Sequence, residues 1–396
     1  MRPRYPSWAS ASRAHGYDVV CVPRGVRVKG RRYCIGTSRY TLRPVTKKIL
    51  ILPPHDLWPA WTGAPPVDAE DRELPYRLLS SRGYPHRRID TFGRPWNPAA
   101  GSAPILHALD SLRALRILLF RRGSAVVVCN FESSALVLLL LRRLLRFRAK
   151  VVVIDVGGLG WRLRRLIQDW VVPRADAVLV YSEHQAAIVR ATWPGTRRVW
   201  PVLAQVDCRF FWQAEDCPAG PVLSIGDDAS RDYATLLQAV EGLVHPVVIR
   251  TRQALSSTPP ANVTVLAEGL PMGGYRDLVA SAAIVVLPLH PTSTPGGVSA
   301  LVQAMGSGKA VVVSASPGIA EYVRDGEDGL VVPPHDPAAL RAAILRLLGN
   351  DALRQRLGAA ARQSAERRFS YQAWARQLEA VLDEVVAADP CPARSP

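Results

Sequence analysis

The chain has 396 residues, 48% of them hydrophobic, which is enough to bury two ordinary domain cores, and it carries a formal net charge of +17. No apolar run reaches the roughly 18–20 residues of a membrane-spanning helix, and the start lacks a signal-peptide pattern. Six cysteines (Cys21, Cys34, Cys129, Cys208, Cys217 and Cys391) show no C-x-x-C or metal-ligand spacing, which reads as scattered thiols in a reducing, cytoplasmic compartment.

The charge is uneven. Residues 1–46 hold ten Arg or Lys against Asp18 alone, a net of +9, so the rest of the chain carries +8. This segment lacks sustained periodicity apart from Tyr17 to Pro23, and two readings stay open: a disordered basic arm, or an extension upstream of the true start. Nothing supports a nucleic-acid partner.

From Ile49 the chain alternates strands and helices, the pattern of an α/β fold with parallel sheets. Ile49 to Leu52 is a first strand, followed by a loop from His55 to Gly63 that includes Trp58 and Trp61. Open α/β sheets bind ligands at such carboxyl-end loops. Glu73 to Ser81 and Ile105 to Phe120 read as helices, Ala125 to Cys129 as a strand, and Asn130 to Ser134 as the cap of a helix running to about Arg146. That leucine-rich helix with Arg142, Arg143, Arg146, Arg148 and Lys150, together with Arg113, Arg116, Arg121 and Arg122, reads either as a basic apolar surface for anionic lipids or as a core helix with a solvated flank. Lys150 to Ile154 is the next strand and ends in Asp155-Val156-Gly157-Gly158. Ala177 to Tyr181 is another, with Ser182 capping a helix from Glu183.

The Pro-, Gly- and acid-containing stretch from Gln213 to Gly220 reads as a linker, giving an N-terminal domain over 47–212 and a C-terminal one over 213–370. The second opens with a strand, Pro221 to Gly226, then a loop from Asp227 to Tyr233 and a helix from Ala234 to Val240. Strands follow at Val247 to Ile249 and Val263 to Leu266, with a helix from Tyr275 to Ala282. Helices are expected from Asp336 with Pro337 at its first position, over Leu353 to Arg368, and over 371–388 as a final amphipathic helix. A Pro-rich tail over 389–396 is expected to be disordered.

The stretch from Ala282 to Pro334 carries the chemistry. Ile284 to Leu289 and Ala310 to Ser314 fit two buried parallel strands, and Ser299 to Met305 fits the helix between them. Gly296 and Gly297 precede that helix, so bare backbone and the first free N–H groups face one space, an anion site suited to a diphosphate. The run Gln303-Ala304-Met305-Gly306-Ser307-Gly308-Lys309-Ala310-Val311-Val312, then Gly318-Ile319-Ala320-Glu321-Tyr322-Val323 and Gly329 to Pro334, resembles in order and spacing the nucleotide-sugar signature of GT-B glycosyltransferases, above all family 4. Two departures stand out. The two glutamates of that family's Glu-x7-Glu pair fall on Pro295 and Gln303.

The resemblance spans residues 47–388 and implies a GT-B fold: two facing Rossmann-like domains with parallel sheets and a C-terminal cross-over helix packing back on the first domain. It implies a retaining glycosyltransferase acting from a nucleotide-sugar donor on a carbohydrate or lipid-linked acceptor hydroxyl in polysaccharide or glycolipid synthesis. No cofactor and no metal are expected, and an anionic membrane surface at the cytoplasmic face is a further partner class. The alternative is a catalytically impaired GT-B-like nucleotide-binding protein, motivated by Pro295 and Gln303. Matched to the family's segments, the donor falls to Gly226, Arg231, Arg252, Thr294, Gly296, Gly297, Val298, Ser299 and Gln303. The acceptor falls to His55, Trp61, Gly63, Gly158 and Glu183, and the reacting sugar to Asp155 and Arg231. The three acids Asp227, Asp228 and Asp232 beside Arg231 are expected to repel a diphosphate unless they point away.

Overall fold

The computed structural model describes residues 49–52, 78–79, 86–88, 115, 126–129, 132–142, 149–154, 162–292 and 295–387. In the first half these form β1 (Ile49–Leu52), β2 (His86–Arg88), β3 (Val126–Cys129), α1 (Glu132–Leu141), β4 (Lys150–Ile154), α2 (Arg162–Val171), β5 (Ala177–Val180), α3 (Glu183–Thr192) and β6 (Val199–Pro201). The second half holds β7 (Val222–Ile225), α4 (Tyr233–Val240), β8 (Val247–Arg250), β9 (Val263–Leu266), α5 (Met272–Ser281), β10 (Ile284–Leu287), α6 (Val298–Gly306), β11 (Val311–Ser314), β12 (Leu330–Val332), α7 (Pro337–Leu348), α8 (Asp351–Ser364) and α9 (Tyr371–Ala387). The helices expected over 73–81 and 105–120 lie almost wholly outside the described residues.

Two six-stranded sheets result, ordered β2-β1-β3-β4-β5-β6 and β12-β11-β10-β7-β8-β9, and every pairing is parallel. The composition of the strands explains this. β3, β5, β10 and β11 are runs of Val, Ile, Leu and Ala, closed by Cys129 in β3 and Ser314 in β11, and are buried at every position, as strands covered by helices on both faces must be. On one face of the second sheet, Leu301, Val302 and Met305 of α6 pack on Val285, Leu287, Val311 and Val313. On the other, Leu236 and Val240 of α4 and Leu340, Ile344 and Leu347 of α7 pack on Val222, Ile284, Val286 and Val312. Each sheet reverses its winding once. In the second, the chain runs outward from β7 through β8 and β9, then returns to lay β10 on the opposite side of β7. The crevice above the carboxyl ends of β7 and β10 is therefore the topological switch point, where open α/β sheets hold their ligands.

The last helix belongs to the other sheet. Trp374, Leu378, Val381, Leu382 and Val385 of α9 pack against Val126, Val128, Val152 and Ile154 of β3 and β4. A polar seam also joins the halves. Tyr322 Oη donates to the Tyr181 carbonyl at 2.6 Å and accepts from the Ala204 N–H at 3.0 Å, and the Glu321 carboxylate accepts from the Glu183 and His184 N–H groups at 2.8 and 3.1 Å. That carboxylate sits on the amino end of α3, where the helix dipole favours it. Burial pushes the Tyr322 phenol well above its ordinary range, as expected for a hydroxyl sealed between the two sheets' halves of the chain.

Candidate functional site

The site is built from two loops at the switch point. After β7 the chain passes Gly226 and turns through Asp227 to Asp232 before α4. After β10 it extends through Leu289 and reaches Pro295, Gly296 and Gly297 at the start of α6. The loops are stitched together: Arg231 and Leu289 form an isolated antiparallel bridge, Asp232 N–H donates to the Pro288 carbonyl at 3.0 Å and His290 N–H to the Ser230 carbonyl at 2.8 Å. Strand β10 stops short of the expected Leu289. Pro288 has no N–H for a ladder, and Leu289 gives its N–H to Ser314 Oγ at 3.0 Å.

Arg231 lies at the centre. Its side chain is 2% exposed, yet Nε and Nη1 have no hydrogen-bond partner among the described residues, and its one ion pair is Nη2 to Asp228 Oδ2 at 3.4 Å. Glycine is required on both sides of it. At Gly226 (φ 154°) a Cβ would fall 2.0 Å from Arg231 Nε, and at Gly297 (φ 73°) 2.1 Å from Arg231 Nη1. Gly297 is also the N-cap of α6, without a side-chain cap, and the Leu301 N–H is the first seen to bond back along the helix, to the Gly297 carbonyl. The N–H groups of Val298, Ser299 and Ala300 therefore open toward the same space as the guanidinium. A buried cation with unpartnered donors, placed at a helix amino terminus, is an arrangement for holding an anion.

These groups line a cavity of about 940 Å³. Gly226 to Arg231, Arg250, Met272, Tyr275, Thr292, Pro295 to Ala300 and Gln303 come from the second half, and Tyr181, Gln185, Ala204 and Gln205 from the first. Of the residues singled out in the sequence, Gly226, Arg231, Gly296, Gly297, Val298, Ser299 and Gln303 are thus brought together. Arg252 is not on this wall: its side chain and N–H bind Asp227 at 2.9 and 2.8 Å. Glu183 is likewise off it, its carboxylate paired with Arg190 and its N–H held by Glu321. Asp155, Gly158, Thr294, His55, Trp61 and Gly63 lie outside the described residues.

The three acids of the loop each have their own work. Asp227 accepts from Arg250 Nη1 at 2.6 Å as well as from Arg252; burial raises its pKa, but these contacts outweigh burial and hold it below the ordinary carboxylate range. Asp228 turns onto Ser230 and Arg231. Asp232 caps α4 through the Thr235 N–H. The expected repulsion of a diphosphate is therefore reduced to Asp228. Met272, Tyr275, Thr292 and Gln205 are lining residues that the sequence did not single out, because helix α5, the loop after β10 and the segment after β6 bring them there. Tyr233, whose hydroxyl donates to the Gly226 carbonyl at 2.7 Å and whose pKa burial raises, fixes the floor of the turn.

With this geometry in view, the chain can be compared with known proteins. Residues 251–350 match the family described as glycosyl transferases group 1. A D-inositol 3-phosphate glycosyltransferase of Nocardioides sp. is 43% identical over 98 residues, 25% of this chain and 20% of that protein. The phosphatidyl-myo-inositol mannosyltransferase of Mycobacterium leprae is 36% identical over 120 residues, 30% of this chain and 32% of that protein. These two matches therefore span a fifth to a third of the relatives' own length. A sucrose-phosphate synthase structure from Thermosynechococcus elongatus covers 87% of this chain and 100% of its own, with a TM-score of 0.67 at 18% identity. Anabaena HepE, solved in complex with UDP and glucose, covers 85% of this chain and 100% of its own, with a TM-score of 0.59 at 17% identity. Residues 251–350 thus match the glycosyl transferases group 1 family, within a chain that has the two-sheet GT-B fold of these structures.

Proposed function

We propose that the chain is a glycosyltransferase that moves a sugar from a nucleoside diphosphate donor to an acceptor hydroxyl with retention at the anomeric carbon. The observation that carries this reading is the buried Arg231 guanidinium, with two unpartnered N–H donors beside the free amides of α6. The anomeric C–O bond to the diphosphate breaks and a bond to the acceptor oxygen forms on the same face. The acceptor proton passes to the departing phosphate oxygen. Negative charge grows on that oxygen, and Arg231 and the α6 amides stabilise it without reorganising. The cationic role thus falls to protein groups, and transfer requires no metal. The relatives named for inositol phosphates and phosphatidylinositol favour a polyol or glycolipid acceptor entering from the first half of the chain.

The test is incubation with a panel of nucleotide sugars and polyol or lipid-linked acceptors, following release of free nucleoside diphosphate. Acceptor-dependent release supports the reading. Binding without release supports a second one, a nucleotide-binding GT-B relative without turnover, which Pro295 and Gln303 motivate because neither supplies a carboxylate to the cavity.

Attachment to an anionic membrane surface is part of the proposal for a lipid-linked acceptor. Its support is the exposed Leu140 and Leu166 on α1 and α2, 55% and 66% accessible, in a region rich in arginine. The basic face is narrower than the sequence suggests, because Arg142 and Lys150 both turn onto Asp176, at 3.0 and 3.9 Å, while Arg143, Arg146 and Arg148 lie outside the described residues. No helix among the described residues is long and apolar enough to cross a membrane.

A further inference from the structure

A second constellation lies on the carboxyl edge of the same sheet, and its three side chains do not line the cavity above. Asp232 follows β7, His290 follows β10 and His335 follows β12, so three separate loops deliver one chemical group each to one point. The Asp232 carboxylate is 3% exposed. Its Oδ2 lies 2.8 Å from His335 Nδ1 and 3.8 Å from His290 Nδ1, and the three potential donor atoms fall within 4.8 Å of one another. The two imidazole rings stand 5.1 Å apart and tilted by 35°.

The backbone and the surroundings hold this arrangement. His290 N–H is fixed on the Ser230 carbonyl, and the Asp232 carboxylate is oriented by the Thr235 N–H on Oδ1 and the Thr235 hydroxyl on Oδ2. Such hydrogen bonds to a ligating carboxylate are what orients it toward a metal. His335 is the one non-glycine residue with positive φ among those described, at 57°. A left-handed backbone disfavours a side-chain-bearing residue there, and glycine would remove the strain. One hydrogen bond from a half-exposed ring is a small return for that strain, and a second imidazole nitrogen lies 3.8 Å from the same oxygen.

We propose that Asp232, His290 and His335 form a binding site for one divalent transition-metal ion of the zinc class. Two imidazoles and a carboxylate are the donor set such an ion takes, at about 2.0–2.2 Å from each, with a further position left for water or an exogenous anion. Bonds of that length place neighbouring donors of a tetrahedron about 3.4 Å apart, so small rotations of the two accessible rings complete the geometry. The ion ties together the loops after β7, β10 and β12 and so braces Ser230 and Arg231, which immediately precede Asp232. Its role is structural: the transfer chemistry proposed above does not pass through it, and the site stands or falls independently of that reading.

The experiment uses the full chain stripped with a chelator, dialysed, and titrated with zinc chloride alone by calorimetry, with cobalt chloride as the spectroscopic probe. One equivalent of zinc is expected to bind with micromolar or tighter affinity and raise the melting temperature, and cobalt is expected to show the intense visible bands of a low-coordinate histidine site. His335→Gly, which relieves the left-handed strain and so keeps the fold, and His290→Gln should each weaken zinc binding at least about tenfold, and the double variant should abolish it. Absence of zinc binding by the parent chain overturns the proposal. So does equal affinity in the parent and the double variant, which would place the ion elsewhere, as at the cysteines. No nucleotide is present, so failure here is distinguishable from failure of the proposed transfer.

Discussion

Replacing Arg231 with methionine separates a residue that serves the fold from one that serves a ligand. In the ligand-free chain the guanidinium is buried with Nε and Nη1 unpartnered, and each such group costs about 1–3 kcal/mol. Against this stands one ion pair, to Asp228 at 3.4 Å, whose carboxylate is half exposed and worth about 0–1 kcal/mol. Methionine is unbranched and fills the slot between Gly226 and Gly297 without a charge. Arg231→Met is therefore expected to stabilise the free protein by at least about 1 kcal/mol, seen by scanning calorimetry as a rise of about 2–4 °C for each kcal/mol. The same change removes charge-assisted bonds to a bound diphosphate, worth about 1.5–3 kcal/mol, so the Kd for nucleoside diphosphates should rise about 10- to 150-fold by titration calorimetry. A lower melting temperature with unchanged affinity would refute the reasoning and make Arg231 a structural residue.

Two further outcomes rest on single groups. Gly297→Val places a Cβ 2.1 Å from Arg231 Nη1 at φ 73°, so it should displace the guanidinium and weaken nucleotide binding by a decade or more, about 1.4 kcal/mol, in the same titration. Asp216 is held below the ordinary carboxylate range chiefly by its hydrogen bonds from the buried Arg354, at 2.7 and 2.8 Å. Because the folded pKa lies below the unfolded one, its stabilisation is complete above the ordinary carboxylate pKa and is lost as pH falls through the folded value. Asp216→Asn should therefore lower the urea midpoint near neutrality and flatten its acid dependence, and parallel pH profiles for parent and variant would refute the assignment.

Strands and the helix amino terminus were legible because they depend on local pattern. Runs such as Ile284 to Leu287 and Val311 to Val313 are apolar at every position, and only a sheet covered on both faces suits them. The glycine pair before α6 was legible for the same reason. Partner choice was not, because it is set by residues distant in sequence. Three acids beside Arg231 read as an obstacle to a diphosphate, whereas Arg250 and Arg252 from β8 and its loop engage Asp227, and the cap of α4 takes Asp232. Arg142 and Lys150 read as free surface charges, yet Asp176 lies 34 and 26 positions away in the chain and engages both. The helix expected over 353–368 shows the same limit: α8 ends at Ser364, and the chain widens into a π-turn over Ala365–Phe369 that sets Ala365 and Phe369 into the core and carries Arg368 to the carbonyls of Glu321 and Tyr322.

The two substitutions that set this chain apart from its relatives' pattern act at different places in the cavity. Pro295 stands at the junction of the halves: a Cβ on Gly318, at φ 83°, would meet Ser182 Oγ at 2.9 Å and the Pro295 Cβ at 3.2 Å. A glutamate there would have to turn away from this crowded contact and into the cavity, beside the proposed diphosphate position at Arg231. Proline removes that option and a negative charge together, which favours the anion while giving up a hydrogen-bond acceptor for the sugar. Gln303, half-buried in the second turn of α6, keeps an acceptor oxygen and adds an N–H donor at a wall position. On the proposed function the cavity keeps the means to bind a nucleoside diphosphate, because Arg250 and Asp227 pair with each other and Arg231 is opposed by Asp228 alone. On the proposed function, recognition of sugar hydroxyls falls to neutral lining groups such as Ser230, Thr292 and Gln303. Neutral groups orient hydroxyls with less energy than a carboxylate does, about 0.5–1.5 kcal/mol against 1.5–3 for each bond. The loss should appear in turnover and sugar selectivity before it appears in nucleotide affinity.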